Sequence, residues 1–201
     1  MGKIICLMGK SSTGKDTLFK RLLEEPKLGL KKIVPYTTRP IRDGERDGVE
    51  YFFTDEAGFR RFQKQNKIIE AREYDTFYGL WRYFVADDGQ IEDDRNYLMI
   101  GTLEAYRNLQ EYFGAGRIVP LLIELDDGLR LQRALDRERQ QESPKYEEMC
   151  RRFLADSEDF SEEKIREAGI SRRFVNDELE GCLKEIRGYL AEKCADRKGM
   201  E

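Results

Sequence analysis

The chain has 201 residues, 39% hydrophobic and 38% charged, which is enough apolar material for the core of one domain and too much for a disordered segment. A net charge of −4 argues against a broad nucleic-acid partner, which needs an excess of Lys and Arg, and no apolar run approaches the roughly 20 residues that span a bilayer. The absence of histidine removes the commonest general base and every imidazole metal ligand, and Cys6, Cys150, Cys182 and Cys194 form no C-x-x-C pair, so reduced, mostly buried thiols are expected rather than a zinc or disulfide framework. Any catalysis must rest on Lys, Arg, carboxylates and Mg²⁺. The N-terminus lacks the charged, apolar and cleavage regions of a leader, so a cytoplasmic protein is expected.

The first apolar run, residues 3–8, leads into Gly9-Lys10-Ser11-Ser12-Thr13-Gly14-Lys15-Asp16-Thr17 and then a helical pattern to Leu23. Strand, glycine-bearing loop and helix in that order bind phosphate. Gly9 and Gly14 let backbone N–H groups approach an anion, the helix N-terminus points at it, and Lys15 reaches the outer phosphates. The spacing G-x-x-x-x-G-K is that of a P-loop, with Asp16 where Ser or Thr ordinarily ligates Mg²⁺. The whole segment, residues 9–17, is therefore the candidate nucleotide-phosphate site. Asp16 and Thr17 are the candidate metal ligands.

Further β-branched apolar runs follow at residues 32–36, 97–102, 118–125 and 173–175, mostly separated by helical periodicity, which predicts a parallel sheet with helices on both faces. Residues 36–51 offer two guanidinium forks three residues apart, Arg39 and Arg42, with glycines and the phenol of Tyr51. This set suits a phosphate monoester, and a charged surface loop is the other reading of it. Residues 55–65 read as a helix capped by Asp55, with Phe59 and Phe62 on one face. Residues 68–84 alternate aromatic and polar side chains around Tyr78-Gly79, the pattern of a small antiparallel insert. Residues 128–140 and 146–157 form two charged helices able to act as a lid. Asp177 is expected to cap a last helix at residues 178–193, with a frayed tail after residue 195.

The block Thr37-Thr38-Arg39-Pro40, Arg42, Gly44-Glu45, Gly48 and Tyr51, following a P-loop, resembles the guanylate kinases, and the resemblance runs from residue 3 to about residue 186. It implies an α/β P-loop fold of three layers with a parallel central sheet (core 1–34, 95–128 and 168–195), a small antiparallel acceptor-binding insert (35–94) and a helical lid (129–167). It implies phosphoryl transfer from ATP, with Mg²⁺, to GMP and also dGMP, in a monomer or homodimer with no nucleic-acid or membrane partner. By resemblance, Arg39, Arg42, Tyr51 and Tyr78 hold the acceptor phosphate. Glu70 accepts from guanine N1 and N2, and Tyr36, Glu45 and Gly79 shape the pocket. Lys15 with Arg133, Arg137 and Arg151 neutralises the migrating phosphoryl group, with solvated helix charge as the alternative reading of the three arginines. Asn176 and Asp177 are expected to border the adenine.

Two departures stand out. Family members carry a serine before this block and a Ser or Thr after the Tyr-Gly pair, both reading the base, where this chain has Pro35 and Leu80. They also carry an Asp-x-Asp pair at the strand end that here reads Leu98-Met99-Ile100-Gly101-Thr102. Asp16 is expected to restore negative charge near the metal, although an acid in a first helical turn also simply stabilises the helix. The Lys15-Asp16-Thr17 and Ile100-Gly101-Thr102 segments look like ribose 1,5-bisphosphate phosphokinases, which are the enzymatic rival. Non-catalytic guanylate-kinase-like binding modules are a third possibility, though these have eroded P-loops.

Overall fold

A computed structural model describes residues 1–42, 44–76 and 79–194. In chain order the elements are β1 (Ile4–Met8), α1 (Lys15–Leu23), β2 (Lys31–Lys32), β3 (Tyr36–Thr37), β4 (Phe52–Phe53), α2 (Glu56–Lys64), β5 (Ile68–Thr76) and β6 (Gly79–Ala86). They continue with β7 (Tyr97–Ile100), α3 (Leu103–Phe113), β8 (Ile118–Glu124), α4 (Asp127–Arg139), α5 (Tyr146–Asp159), α6 (Glu162–Glu167), β9 (Arg173–Val175) and α7 (Leu179–Cys194). Five of the strands form one parallel sheet in the order β2-β7-β1-β8-β9.

Strand alternation sorts the core into two faces. Ile5 and Leu7 of β1 pack with Leu18 and Leu22 of α1 and with Leu183, Ile186 and Leu190 of α7. Ile4, Cys6 and Met8 point the other way, onto Leu103, Tyr106 and Leu109 of α3 and Ile165 of α6. The result is the expected three layers. Each fully buried Leu or Ile here stabilises the fold by about 1.5–3 kcal/mol through removal from water.

A second sheet, β4-β3-β6-β5, forms the insert. β5 and β6 pair antiparallel, as do β3 and β6, while β3 and β4 run parallel. Asp55 caps α2 by accepting from the Gly58 N–H at 2.7 Å, and Phe59 of α2 packs edge-on against Phe84 of β6. On its other side the insert docks onto the core, where Ile69 and Val85 join the cluster around α3.

Several expectations needed revision. The run 32–36 is not one strand: Lys31–Lys32 closes the edge of the parallel sheet, whereas Tyr36–Thr37 belongs to the insert. Pro35, with no N–H to give a ladder, sits between them, and the Val34 N–H turns to the Gln90 side chain. Glu178, rather than Asp177, caps α7, because its carboxylate accepts from the N–H groups of Glu180 and Gly181 at 3.0 and 2.5 Å. The short α6, capped by Ser161, went unanticipated. Cys6 and Cys182 are buried, but Cys150 is exposed. The tail after residue 195 lies outside the described residues. Among the described residues no helix is long and apolar enough to cross a membrane.

Candidate active site

The P-loop joins the C-terminal end of β1 to α1. Gly9 has φ 144° and Gly14 φ 86°, and a β-carbon at Gly9 would stand 2.3 Å from the Ile123 carbonyl oxygen, so the backbone passes where a side chain cannot. Gly14 caps α1 with no side-chain hydrogen bond, which leaves the first-turn N–H groups of the helix facing outward for an anion. The buried amide of Asn176 donates to the Thr13 carbonyl at 2.7 Å, and its nitrogen lies 2.4 Å from where a Gly14 β-carbon would be. Asn176 therefore braces the loop through its amide nitrogen.

Lys15 donates to the Lys10 carbonyl at 2.7 Å. Burial lowers its pKa to about 8 against the opposing pull of Asp16 and Asp156. Asp156 of α5 reaches into the loop: its carboxylate accepts from the Ser11 N–H at 2.7 Å and pairs with Arg130 at 3.2 Å. Arg130 is fully buried, donates to the Ser11 carbonyl at 3.0 Å, pairs with Asp127 and stacks on Phe153 at 4.7 Å. Helices α4 and α5 are thus tied to this loop through the Arg130 guanidinium and the Asp156 carboxylate. A cavity of about 330 Å³ opens beside the loop between Lys10, Leu125, Asp127, Arg130 and Phe160.

The lid arginines divide. An Arg133 terminal nitrogen lies 3.9 Å from the position of a Gly14 β-carbon, and an Arg152 nitrogen lies 3.5 Å from the Ser11 hydroxyl. Arg137 is exposed, and Arg151 is exposed and held in a two-point ion pair with Glu148, both contacts 2.7 Å. One residue along a helix is about 100° of rotation, so Arg152, itself exposed, reaches the loop where Arg151 reaches Glu148.

Asp16 and Thr17 sit exposed in the first turn of α1, beside Lys15. Among the described residues no three acidic or thiol groups cluster as a closed metal cage. One carboxylate with one hydroxyl fits Mg²⁺, which binds through one or two protein oxygens and fills its shell with phosphate oxygens and water.

On the insert, Arg39 is 3% exposed. Its two terminal nitrogens grip the Glu45 carboxylate at 2.7 and 2.5 Å, and Nη1 also donates to the Pro40 carbonyl. Glu45 also accepts from the Arg42 N–H at 2.9 Å, and these contacts hold its pKa at about 2. The Arg39 guanidinium lies 5.0 Å over the Tyr51 ring, and Tyr51 meets Tyr83 edge-on. Glu45 and Pro40 thus engage three of the five N–H donors of Arg39. Thr37 and Thr38 tie this segment to β6 by bonding the Arg82 backbone. Arg42 is exposed.

Tyr36 stacks on Phe84 at 5.1 Å and gives its hydroxyl to Asp88 at 2.6 Å, so it holds the insert together and does not face the cluster of Arg39. Gly79 opens β6 at φ 105°. Tyr78 lies outside the described residues.

Glu70 is 2% exposed and ion-paired with Arg72, two residues along the same face of β5. Burial raises the Glu70 pKa while Arg72 pulls it down. Burial pushes the thiol of Cys6, in β1 a few residues before the P-loop, up to about 12, with the Glu70 charge adding to the rise. Gly101 marks the same junction: a β-carbon there would press on the Cys6 sulfur at 2.8 Å. Arg72 and Tyr83, partners across the β5–β6 ladder, were not singled out from sequence as site residues. The only available signal was their alternation with Glu70 once the hairpin register is known.

The guanylate kinase family model matches residues 1–193. A guanylate kinase of Caldanaerobacter subterraneus subsp. tengcongensis is 29% identical over 96% of this chain and 89% of its own length, and one of Porphyromonas gingivalis is 29% identical over 96% and 98%. Among solved structures, a guanylate kinase from Anaplasma phagocytophilum superposes with a TM-score of 0.69 at 20% identity, covering 98% of this chain and 88% of its own.

Proposed function

This chain belongs to the guanylate kinase family, and from that premise we propose that it transfers the γ-phosphoryl group of ATP to GMP, and also to dGMP, giving the diphosphate and ADP. A kinase needs a donor grip and an acceptor grip in one chain. The reading rests on two sets of residues in one chain: the open helix terminus behind Gly14 with Lys15, and the Arg39–Glu45 pair with buried Glu70.

In this reading the α1 N–H groups and Lys15 hold the β- and γ-phosphates, and the triphosphate displaces the Asp156 carboxylate from Ser11. Arg133 and Arg152 bring positive charge to the migrating group, and Arg137 and Arg151 reach it only if the lid turns. Arg39, set by Glu45, turns its two remaining N–H donors to the acceptor phosphate with Arg42, Tyr51 and Tyr78, and Glu70 accepts from the base. The acceptor oxygen is already anionic, so no general base is required. Asp16 and Thr17 would hold Mg²⁺, which neutralises charge on the donor phosphates. Residues 35–94 then form the acceptor insert and residues 129–167 the lid, whose closure excludes water.

A coupled assay of ADP release across GMP, dGMP, IMP, AMP, CMP, UMP and ribose 1,5-bisphosphate tests this. Turnover greatest with GMP and dGMP is expected. Turnover confined to the sugar bisphosphate overturns it in favour of the phosphokinase reading.

A further inference from the structure

The two positions at which relatives place hydroxyl donors for the base hold Pro35 and Leu80 here. Pro35 has no N–H to offer and its carbonyl is taken by the Phe52 N–H; Leu80 is apolar and 44% exposed. If the acceptor is a guanine nucleotide, its O6 and N7 must find donors elsewhere.

We propose that Arg72 is a specificity-determining residue that reads the O6/N7 edge of guanine beside Glu70, an inference that rests on the acceptor assignment made above. The two side chains leave the same face of β5, with side-chain exposures of 18% and 0%. Their contact is loose for a buried ion pair: Arg72 Nη2 donates to Glu70 Oε1 at 3.3 Å, and Nε approaches Oε2 at 3.3 Å without the alignment of a hydrogen bond. Charge-assisted bonds normally close to about 2.7–2.9 Å. Glu70 Oε2 and Arg72 Nε are both left buried with no hydrogen bond, which is costly in a finished core and ordinary in a site that awaits a ligand.

A carboxylate beside a guanidinium fork complements one purine edge in particular. Guanine presents N2–H and N1–H donors next to the O6 and N7 acceptors, so the carboxylate meets the donors while the fork meets the acceptors, as arginine does when it reads guanine in nucleic acids. Adenine reverses both signs, setting its N6 amino group against the fork and its N1 lone pair against the carboxylate. Hypoxanthine keeps every match except N2–H. The pair therefore rejects 6-aminopurines twice over and separates guanine from hypoxanthine only through Glu70. Tyr83, across the ladder from Arg72, and Tyr74 border the fork with aromatic surface. They carry this face of the insert on to Tyr51 and Arg39.

Arg72 also stabilises the charge on Glu70, so the test must separate that from base reading. The measurement is kcat/KM for GMP, 7-deaza-GMP and 6-thio-GMP with the unaltered protein, Arg72→Lys and Arg72→Met. The unaltered protein should prefer GMP to 7-deaza-GMP by about tenfold, the worth of one charge-assisted bond. Against 6-thio-GMP, whose sulfur is the poorer acceptor, the preference has the same sign. In both variants these preferences should collapse to within about twofold while KM for ATP holds, because lysine keeps the charge but loses the fork. A role confined to charging Glu70 lowers all three nucleotides together, leaves the ratios intact, and overturns the proposal. Should Arg72→Met fail to fold, the Arg72→Lys ratio decides alone. No turnover of GMP by the unaltered protein would remove the proposed function and this inference together, whereas good turnover with unchanged ratios removes this inference only.

Discussion

Replacing Glu45 by Gln keeps the shape beside Arg39 and removes its countercharge. Arg39 is 3% exposed and spends three of its five donors on Glu45 and Pro40, so the variant strands a guanidinium that water barely reaches. Breaking a fully buried ion pair on one side costs about 3–5 kcal/mol, and the 17% exposure of the Glu45 side chain lowers that to about 2–3 kcal/mol. For a domain of this size a loss of 1 kcal/mol lowers Tm by about 2–4 °C, so Glu45→Gln should melt roughly 4–12 °C below the unaltered protein at pH 7. The pH dependence follows from the Glu45 pKa, about 2 in the fold against 4.5 ordinarily. Because the folded value is depressed, the stabilisation is complete above 4.5 and is lost as pH falls toward 2, so the gap between variant and parent should close over that window. Differential scanning fluorimetry from pH 7 down, with and without GMP, measures both. If the phosphate of GMP reaches Arg39 as proposed, it gives the guanidinium a replacement anion, and GMP should raise the Tm of the variant more than that of the parent. A variant melting within 1 °C of the parent, or a gap indifferent to acid, would mean that the Glu45 charge does not hold Arg39 in the fold.

The remaining predictions concern the donor side. Lys15, with a pKa near 8 in the free protein, must be protonated to hold the triphosphate, so kcat/KM for ATP should fall above about pH 8 while kcat persists to higher pH, where bound phosphate keeps the ammonium charged; a flat kcat/KM to pH 10 would contradict this. Asp16→Asn should raise the Mg²⁺ concentration for half-maximal rate by about tenfold if Asp16 meets the metal, and an unchanged Mg²⁺ profile would leave it only the helix-terminus role. Arg152→Ala should lower kcat about tenfold or more, and Arg151→Ala, which removes a solvent-exposed pair with Glu148, should stay within about twofold; the reverse order would mean that the lid turns before transfer.

The readable parts of this protein are the local ones. Gly9 and Gly14 announce the loop because their φ values are required at those positions whatever the rest of the chain does, and Asp55 announces α2 because a cap acts three residues away. The parts that stayed hidden depend on register. Arg72 shares a face of β5 with Glu70 by simple alternation, but it meets Tyr83 only because β5 pairs with β6 in one particular alignment, after a shift between Ile68 and Glu70, which no local pattern fixes. Arg151 and Arg152 are equivalent in composition and differ by a rotation of the helix, which Glu148 and Ser11 resolve only in three dimensions. The Asp156 contact with the loop spans 145 residues of sequence and has no motif at all.

If the donor and acceptor grips share one cleft, a single ligand carrying both nucleosides should fill it. A dinucleotide joining adenosine to guanosine through five phosphates tests it directly by titration calorimetry. One molecule should bind per chain, in full competition with both ATP and GMP. Two molecules bound per chain, or a complex that still admits GMP after the ATP site is filled, would contradict it.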